Sequence, residues 1–229
     1  MYGHILEIIK RYSITSDELL KGSIGLIYKR IILQMNPELP NMNYNRIFCK
    51  VLPSYLQSFN FKLYYNFLPV STVFREYALD NDTTCCFCSV GPESILHMFG
   101  SCEKLKILWD IATGVIETIT KVRLDFHNLR VNLMLDFVNV KLGSLRKYEK
   151  MLVYLNTIIN YSIWKMRNEI KHEFVTFSMN NLVGKIIRSI RARKNVDTKL
   201  ADSKKIPFLL DLNSSFMRES TRYLPIDNG

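Results

Sequence analysis

The chain has 229 residues, 48% of them hydrophobic and 12% aromatic, with a mean hydropathy near zero. That composition excludes a disordered polymer and suffices to bury a core in one large or two small domains. The formal charge of +10 is uneven: from residue 141 onward 17 Lys and Arg face 8 Asp and Glu, against 14 and 13 before it, so the last third points to an anionic partner, nucleic acid ahead of a membrane surface.

The N-terminal stretch MYGHILEIIKRYSITSDELL interrupts its apolar positions with Glu7, Lys10 and Arg11, which excludes a signal-peptide core, and no apolar run reaches the length of a membrane span. Residues 17–35 carry apolar side chains at helical spacing and stop at Asn36-Pro37, which predicts a helix. The aromatic-rich stretch 41–68, punctuated by Pro53 and Pro69, predicts one or two helices, the second over about 53–66. A short helix over 71–78 and a polar turn at Asp80-Asn81-Asp82 lead into a cysteine cluster.

Pro92 suits the first turn of a helix and Gly100 its end, framing 93–99 as a short helix that carries His97; Ser101 is placed to cap the next helix, with Leu105, Leu108, Trp109 and Ala112 on its apolar face. A short strand is possible near 131–140. Residues 144–176 predict a long helix with Leu152, Leu155, Ile159, Ile163 and Met166 on one stripe. Residues 179–194 predict another, capped by Asn180 or Asn181. The tail beyond Lys199, with Pro207 and Pro225, is expected to be weakly ordered. The fold expected is mostly α: a helical domain with a small zinc-stabilised knot inserted between helices. Its parts are an N-terminal helical segment (1–45), a zinc-binding domain (46–120), a basic helical region (121–200) and the tail (201–229).

Cys85, Cys88, His97 and Cys102 form a Cys-x2-Cys-x8-His-x4-Cys array. Two thiolates two residues apart clasp a metal from one tight turn, and a His and a Cys downstream close a tetrahedron, the donor set and spacing of a Zn2+ site. Three thiolates and an imidazole fill the shell, leaving no open position for an activated water, so the metal's expected role is structural. Cys86 sits inside the first pair and is an alternative to Cys85, although its one-residue separation from Cys88 gives a tighter bite. Cys49, far upstream in the aromatic stretch, reads as a small buried residue. Four of five cysteines in one cluster suit a metal site in a reducing compartment rather than a disulfide scaffold, and hence an intracellular protein of nucleus or cytoplasm.

The stretch from Phe59 to Trp109 resembles the zinc-binding domain at the C-terminal end of LINE-type non-LTR retrotransposon reverse transcriptases. The residues that carry the resemblance are Phe61, Leu63, Phe67-Leu68-Pro69, Cys85-Cys86-Phe87-Cys88, Glu93-Ser94-Ile95-Leu96-His97-Met98-Phe99, Cys102 and Leu108-Trp109. It extends more weakly to Ile27-Tyr28-Lys29-Arg30 and to Ile163-Trp164-Lys165-Met166-Arg167-Asn168, covering residues 20–175 in total. The eight residues between Cys88 and His97 separate the array from the retroviral zinc knuckle, which has four. A polymerase needs paired metal-binding aspartates, and the chain has no Tyr-x-Asp-Asp turn; Tyr77-Ala78-Leu79-Asp80 lacks the second acid. No clustered Asp, Glu and His suggest an endonuclease, so what the resemblance implies is a non-catalytic module.

Within 182–194, Val183, Ile186, Ile187 and Ile190 form an apolar face, while Lys185, Arg188 and Arg191 recur opposite it, joined by Arg193 and Lys194. Five cations with no acid among them suit the tracking of a phosphate backbone, although charge runs also serve simply to keep a helix face wet. Trp164, beside Lys165 and Arg167, suits base stacking chemically but fits a core position better. The expected partners are RNA or DNA and the catalytic part of a retrotransposon protein, with no membrane and no small-molecule substrate. The competing expectation is a structural or protein-interaction scaffold, folded by zinc and without nucleic-acid contact.

Overall fold

The computed structural model divides the chain into two compact units, Met1–Met42 and Asn43–Gly229. The residues described below, 44–64, 68–71, 83–123, 142–199 and 209–224, all lie in the second. The expected helix over 17–35, the polar turn at 80–82, the strand near 131–140 and all but the first residue of the helix over 71–78 fall outside them.

Among the described residues there are six α-helices: α1 (Tyr44–Ile47), α2 (Ser54–Tyr64), α3 (Lys106–Thr120), α4 (Glu149–Glu173), α5 (Met179–Lys199) and α6 (Leu209–Tyr223). Among the described residues there is no strand, only an isolated antiparallel bridge between Thr84 and Pro92. The mostly α expectation holds.

Helix α4 is the axis of the unit. Every residue over 151–160 is buried, and α2 and α5 both pack on the helix; a helix covered all round must be apolar or internally paired. The predicted stripe of Leu152, Leu155, Ile159, Ile163 and Met166 is buried throughout. Two of its buried polar residues find partners on α2: Asn60 Nδ2 donates to Thr157 Oγ1 at 2.8 Å, and Asn156 Nδ2 donates to the Tyr64 hydroxyl at 3.0 Å. These bonds fix the register of α2 against α4, since a slip would strand buried amides without acceptors.

The long helix is shorter than the sequence predicts at both ends. Residues Gly143–Tyr148 form a 3-10 turn, and α4 stops where Phe174 adopts a left-handed conformation, φ 54°, with its amide returning to Glu169 O. The cap of α5 also differs from expectation. Ser178 Oγ accepts from the Asn181 amide at 3.4 Å, so the capping oxygen comes from the residue before the helix rather than from Asn180 or Asn181.

Within the tail expected to be weakly ordered, Leu209–Tyr223 form α6, while 200–208 and 225–229 lie outside the described residues. Leu212 and Phe216, four residues apart on one face, are fully buried, and the helix packs against α3 and α5. Close approach to α3 depends on Gly114: a Cβ there would lie 2.7 Å from Glu219 Oε2. The buried Glu219 carboxylate accepts from Thr118 Oγ1 at 3.3 Å and from Arg222 Nη1 at 2.9 Å. Polar residues and prolines suggest a loose tail, but the apolar pair on one face has a groove between α3 and α5 to fill.

Candidate metal centre and basic helix

The first two ligand positions sit in a knuckle closed by the backbone. The Cys85 amide donates to Gly91 O at 2.8 Å and the Ser89 amide donates back to Cys85 O at 2.9 Å, while Ser89 itself turns left-handed at φ 57°. This folds residues 85–91 tightly enough to aim both thiols inward. A glycine is favoured at 91 by the histidine: a Cβ there would lie 2.9 Å from His97 Cε1 and 3.1 Å from Nδ1. The imidazole therefore rests directly on the glycine backbone.

His97 and Cys102 are brought together by an unusual turn. The sequence predicts an α-helix over 93–99 with Pro92 in its first turn and Ser101 capping the next helix, whereas Pro92 belongs to the bridge with Thr84 and helical geometry begins at Ile95. Ser94 Oγ accepts from the His97 amide at 3.0 Å and is the capping group. From there His97–Ser101 runs as a π turn, closed by the Cys102 amide to His97 O at 2.8 Å. Five residues along an α-helix rotate the direction by about 140° from the starting side chain, so a regular helix would point Cys102 away from His97. The wider i to i+5 turn removes most of that offset, a device common at functional sites. Ser101 is consumed by this turn, and the following helix enters instead through the 3-10 turn Glu103–Leu105.

The four donor atoms of Cys85, Cys88, His97 and Cys102 all lie within 4.8 Å of one another. Cys85 Sγ is 4.0 Å from Cys102 Sγ, and Cys88 Sγ is 3.2 Å from His97 Nε2. A tetrahedral Zn2+ with thiolate bonds of about 2.3 Å has ligand edges of about 3.8 Å, so the separations straddle the value a metal requires. Cys85 and Cys102 are buried and Cys88 and His97 half-buried, as befits a folding site rather than an open catalytic one.

The thiols are electrostatically unequal. The contact between the Cys85 and Cys102 thiols, in which either can donate, lowers the Cys85 pKa and raises that of Cys102. Cys86 lies outside the donor cluster, and burial, with the negative charge of Glu93 and Cys85 beside it, pushes its thiol up to about 12. Its place outside the cluster separates Cys86 from Cys85 on grounds that spacing alone left open. Cys49 is half-buried and packs against the core.

The centre is anchored to α4 by a group that sequence reasoning passed over except as part of a resemblance. Glu93, fully buried in the loop between the knuckle and the π turn, accepts from Arg167 Nη2 at 2.7 Å and Nε at 3.1 Å. The Ser71 amide and hydroxyl donate to the same oxygen at 2.9 and 2.8 Å. Burial acts to raise the Glu93 pKa, but the Arg167 hydrogen bonds and charge, with Ser71, outweigh it and hold the carboxyl below its ordinary range. Phe87 adds an apolar anchor, edge-on to Phe177 with centroids 5.2 Å apart. Trp164 is half-buried against the core with the Arg167 guanidinium 5.1 Å from its ring centre, a packing role rather than an open stacking face.

On α5, Leu182, Val183, Ile186 and Ile190 are buried, and Arg188 and Arg191 are exposed on the other side. The expectation of cations facing no acid fails at Lys185, which pairs with Glu169 of α4. Arg191 Nη2 reaches Met217 Sδ on α6 at 3.0 Å. Arg193 is half-buried, and Lys194 lies further along the same helix.

A model of the family described as zinc-binding in reverse transcriptase matches residues 25–109 of this chain. The match contains all four donors and ends at Trp109, inside α3. No curated protein and no solved structure matches the chain. Among the described residues no helix is long and apolar enough to cross a membrane.

Proposed function

We propose that this chain is a non-catalytic module, folded around one Zn2+ held by Cys85, Cys88, His97 and Cys102, that binds RNA or DNA through the exposed side of α5. Its source in this reading is the C-terminal region of a LINE-type reverse transcriptase, where it would hold template near a catalytic part carried elsewhere. The observation that carries the reading is the pairing of a buried three-thiolate, one-imidazole cluster with the zinc-binding family match. The closed donor set assigns the metal to folding, which leaves recognition to the surface. There Arg188 and Arg191 are exposed on a helix whose other side is committed to the core, with Lys185, Arg193 and Lys194 along the same helix.

Affinity generated this way is electrostatic and falls with salt, because each neutralised phosphate releases counterions. The test is a titration of the zinc-loaded chain with labelled single-stranded RNA and DNA across a salt series. A logarithmic slope of about −2 to −3, as three or four phosphate contacts to a single strand require, supports the reading. Absence of binding at low salt, or affinity indifferent to salt, removes it and leaves the protein-docking scaffold.

A further inference from the structure

The cations of α5 border a cavity. Between α2, α4 and α5 lies an open cleft of about 450 Å3 lined by Tyr55, Tyr161, Lys165, Glu169, Lys185 and Arg188, among others. That volume falls within the ~300–1,000 Å3 range of small-ligand sites. Its aromatic side is packed at the back and open at the front. Tyr161 is half-buried and held edge-on by Phe59, with centroids 5.2 Å apart and planes at 75°, whereas Tyr55, 5.5 Å from Tyr161, is 55% exposed. Lys165 of α4 and Arg188 of α5 are exposed, and the Lys185 charge is offset by Glu169. Arg193 is near enough to Tyr55 for its charge to act on the phenol.

An accessible aromatic ring beside two exposed cations from different helices matches an alternation of flat base and charged phosphate. An acidic peptide would use the cations and leave the tyrosine idle; a duplex would present phosphates with its bases stacked away. We propose that this cleft seats an unpaired nucleotide of single-stranded RNA or DNA, its base against Tyr55 and its phosphate on Arg188 and Lys165. The inference rests on the nucleic-acid reading above and narrows it from a basic surface to a single-strand site.

The test measures anisotropy of the full zinc-loaded chain with four probes: a labelled single strand, the same backbone made abasic, a duplex and polyglutamate. The base-bearing strand is expected to bind more tightly than the abasic one. Tyr55→Ala should weaken it by at least about fivefold, the lower bound for a lost base stack, while leaving the abasic strand unchanged, and Tyr55→Phe should restore the affinity. Arg188→Gln should weaken both strands and flatten the salt slope by about 0.7. Equal affinity for base-bearing and abasic strands overturns the cleft assignment while leaving the basic-helix reading intact, and needs no variant to fold. A duplex bound as well as the single strand, or polyglutamate bound with the same dependence on Tyr55, also overturns it. If no strand binds at low salt, both readings fall.

Discussion

The Glu93 carboxylate and the Arg167 guanidinium lie 74 positions apart in sequence and meet at 2.7 Å with both side chains almost wholly removed from solvent. One belongs to the loop between the Cys/His donors, the other to the central helix α4. The pair therefore fastens the Cys/His segment to the helical core. A buried pair of this kind need not outperform an apolar contact in net stability, but breaking it strands a charge.

Arg167→Met is accordingly expected to destabilise the fold by about 3–5 kcal/mol, and Glu93→Gln by the lower end of that range. The pH dependence has a definite sign. The folded Glu93 pKa is depressed, so its contribution is complete above the ordinary value of 4.5 and is lost as pH falls below that toward the folded value. Urea midpoints of wild type and Glu93→Gln, compared over a pH series, should differ most at neutral pH and converge in acid. A gap independent of pH would contradict the assignment.

Metal content gives a second expectation. The purified chain should carry a single Zn2+, and Cys88→Ser and His97→Ala should each lose it together with cooperative unfolding, because metal binding and folding are one equilibrium in such sites. Cys86→Ser should keep the metal, its thiol being outside the cluster and protonated at neutral pH. Zinc per chain by elemental analysis distinguishes these outcomes.

Two glycine substitutions should diverge. Gly91→Ala forces a methyl to within 2.9 Å of the His97 ring, so zinc affinity should drop by about 10–100-fold, the usual scale for disturbing a ligand's support. Gly184→Ala, in the interior of α5, would meet only Arg188 Nη1 at 3.5 Å. It should stabilise the helix by about 0.5–1 kcal/mol and leave zinc untouched. Chelator competition and thermal melting of both variants provide the comparison.

Phe216→Ala tests the docking of α6. A fully buried phenyl replaced by methyl costs about 3–5 kcal/mol, and the loss should appear as a lower urea midpoint. A change within a few tenths of a kcal/mol would mean that α6 contributes no core.

Much of the helical framework was legible in the residue pattern. The apolar spacings of α4 and α5 marked helices because a helix buried on one face must repeat its apolar residues near every third or fourth position. The cysteine and histidine spacings likewise singled out the four donors that the fold gathers. The ends of helices were less legible. Ser178 caps α5 in place of the Asn180 and Asn181 pair, and Ser101 caps no helix but lies within the π turn, since several polar residues in a row are each competent to cap and only the backbone path selects one. The π turn was not foreseeable either: nothing in HMFGS distinguishes it from an α-helix until Cys102 must return to the histidine.

Taken alone, the sequence determined local matters: where helices form, which ligand types cluster, and where positive charge accumulates. These depend on side-chain type and on spacings of a few residues. Tertiary structure alone decided which distant groups meet. It set Glu93 against Arg167, Gly91 against the His97 ring and Glu169 against Lys185, and it turned a polar tail into a packed helix. Such pairings arise from three-dimensional packing, where a buried charge must find its counterion and an apolar face its groove. The Cys-x2-Cys-x8-His-x4-Cys spacing thus announced the donors, while the fold set how they are held and which cations remain facing solvent.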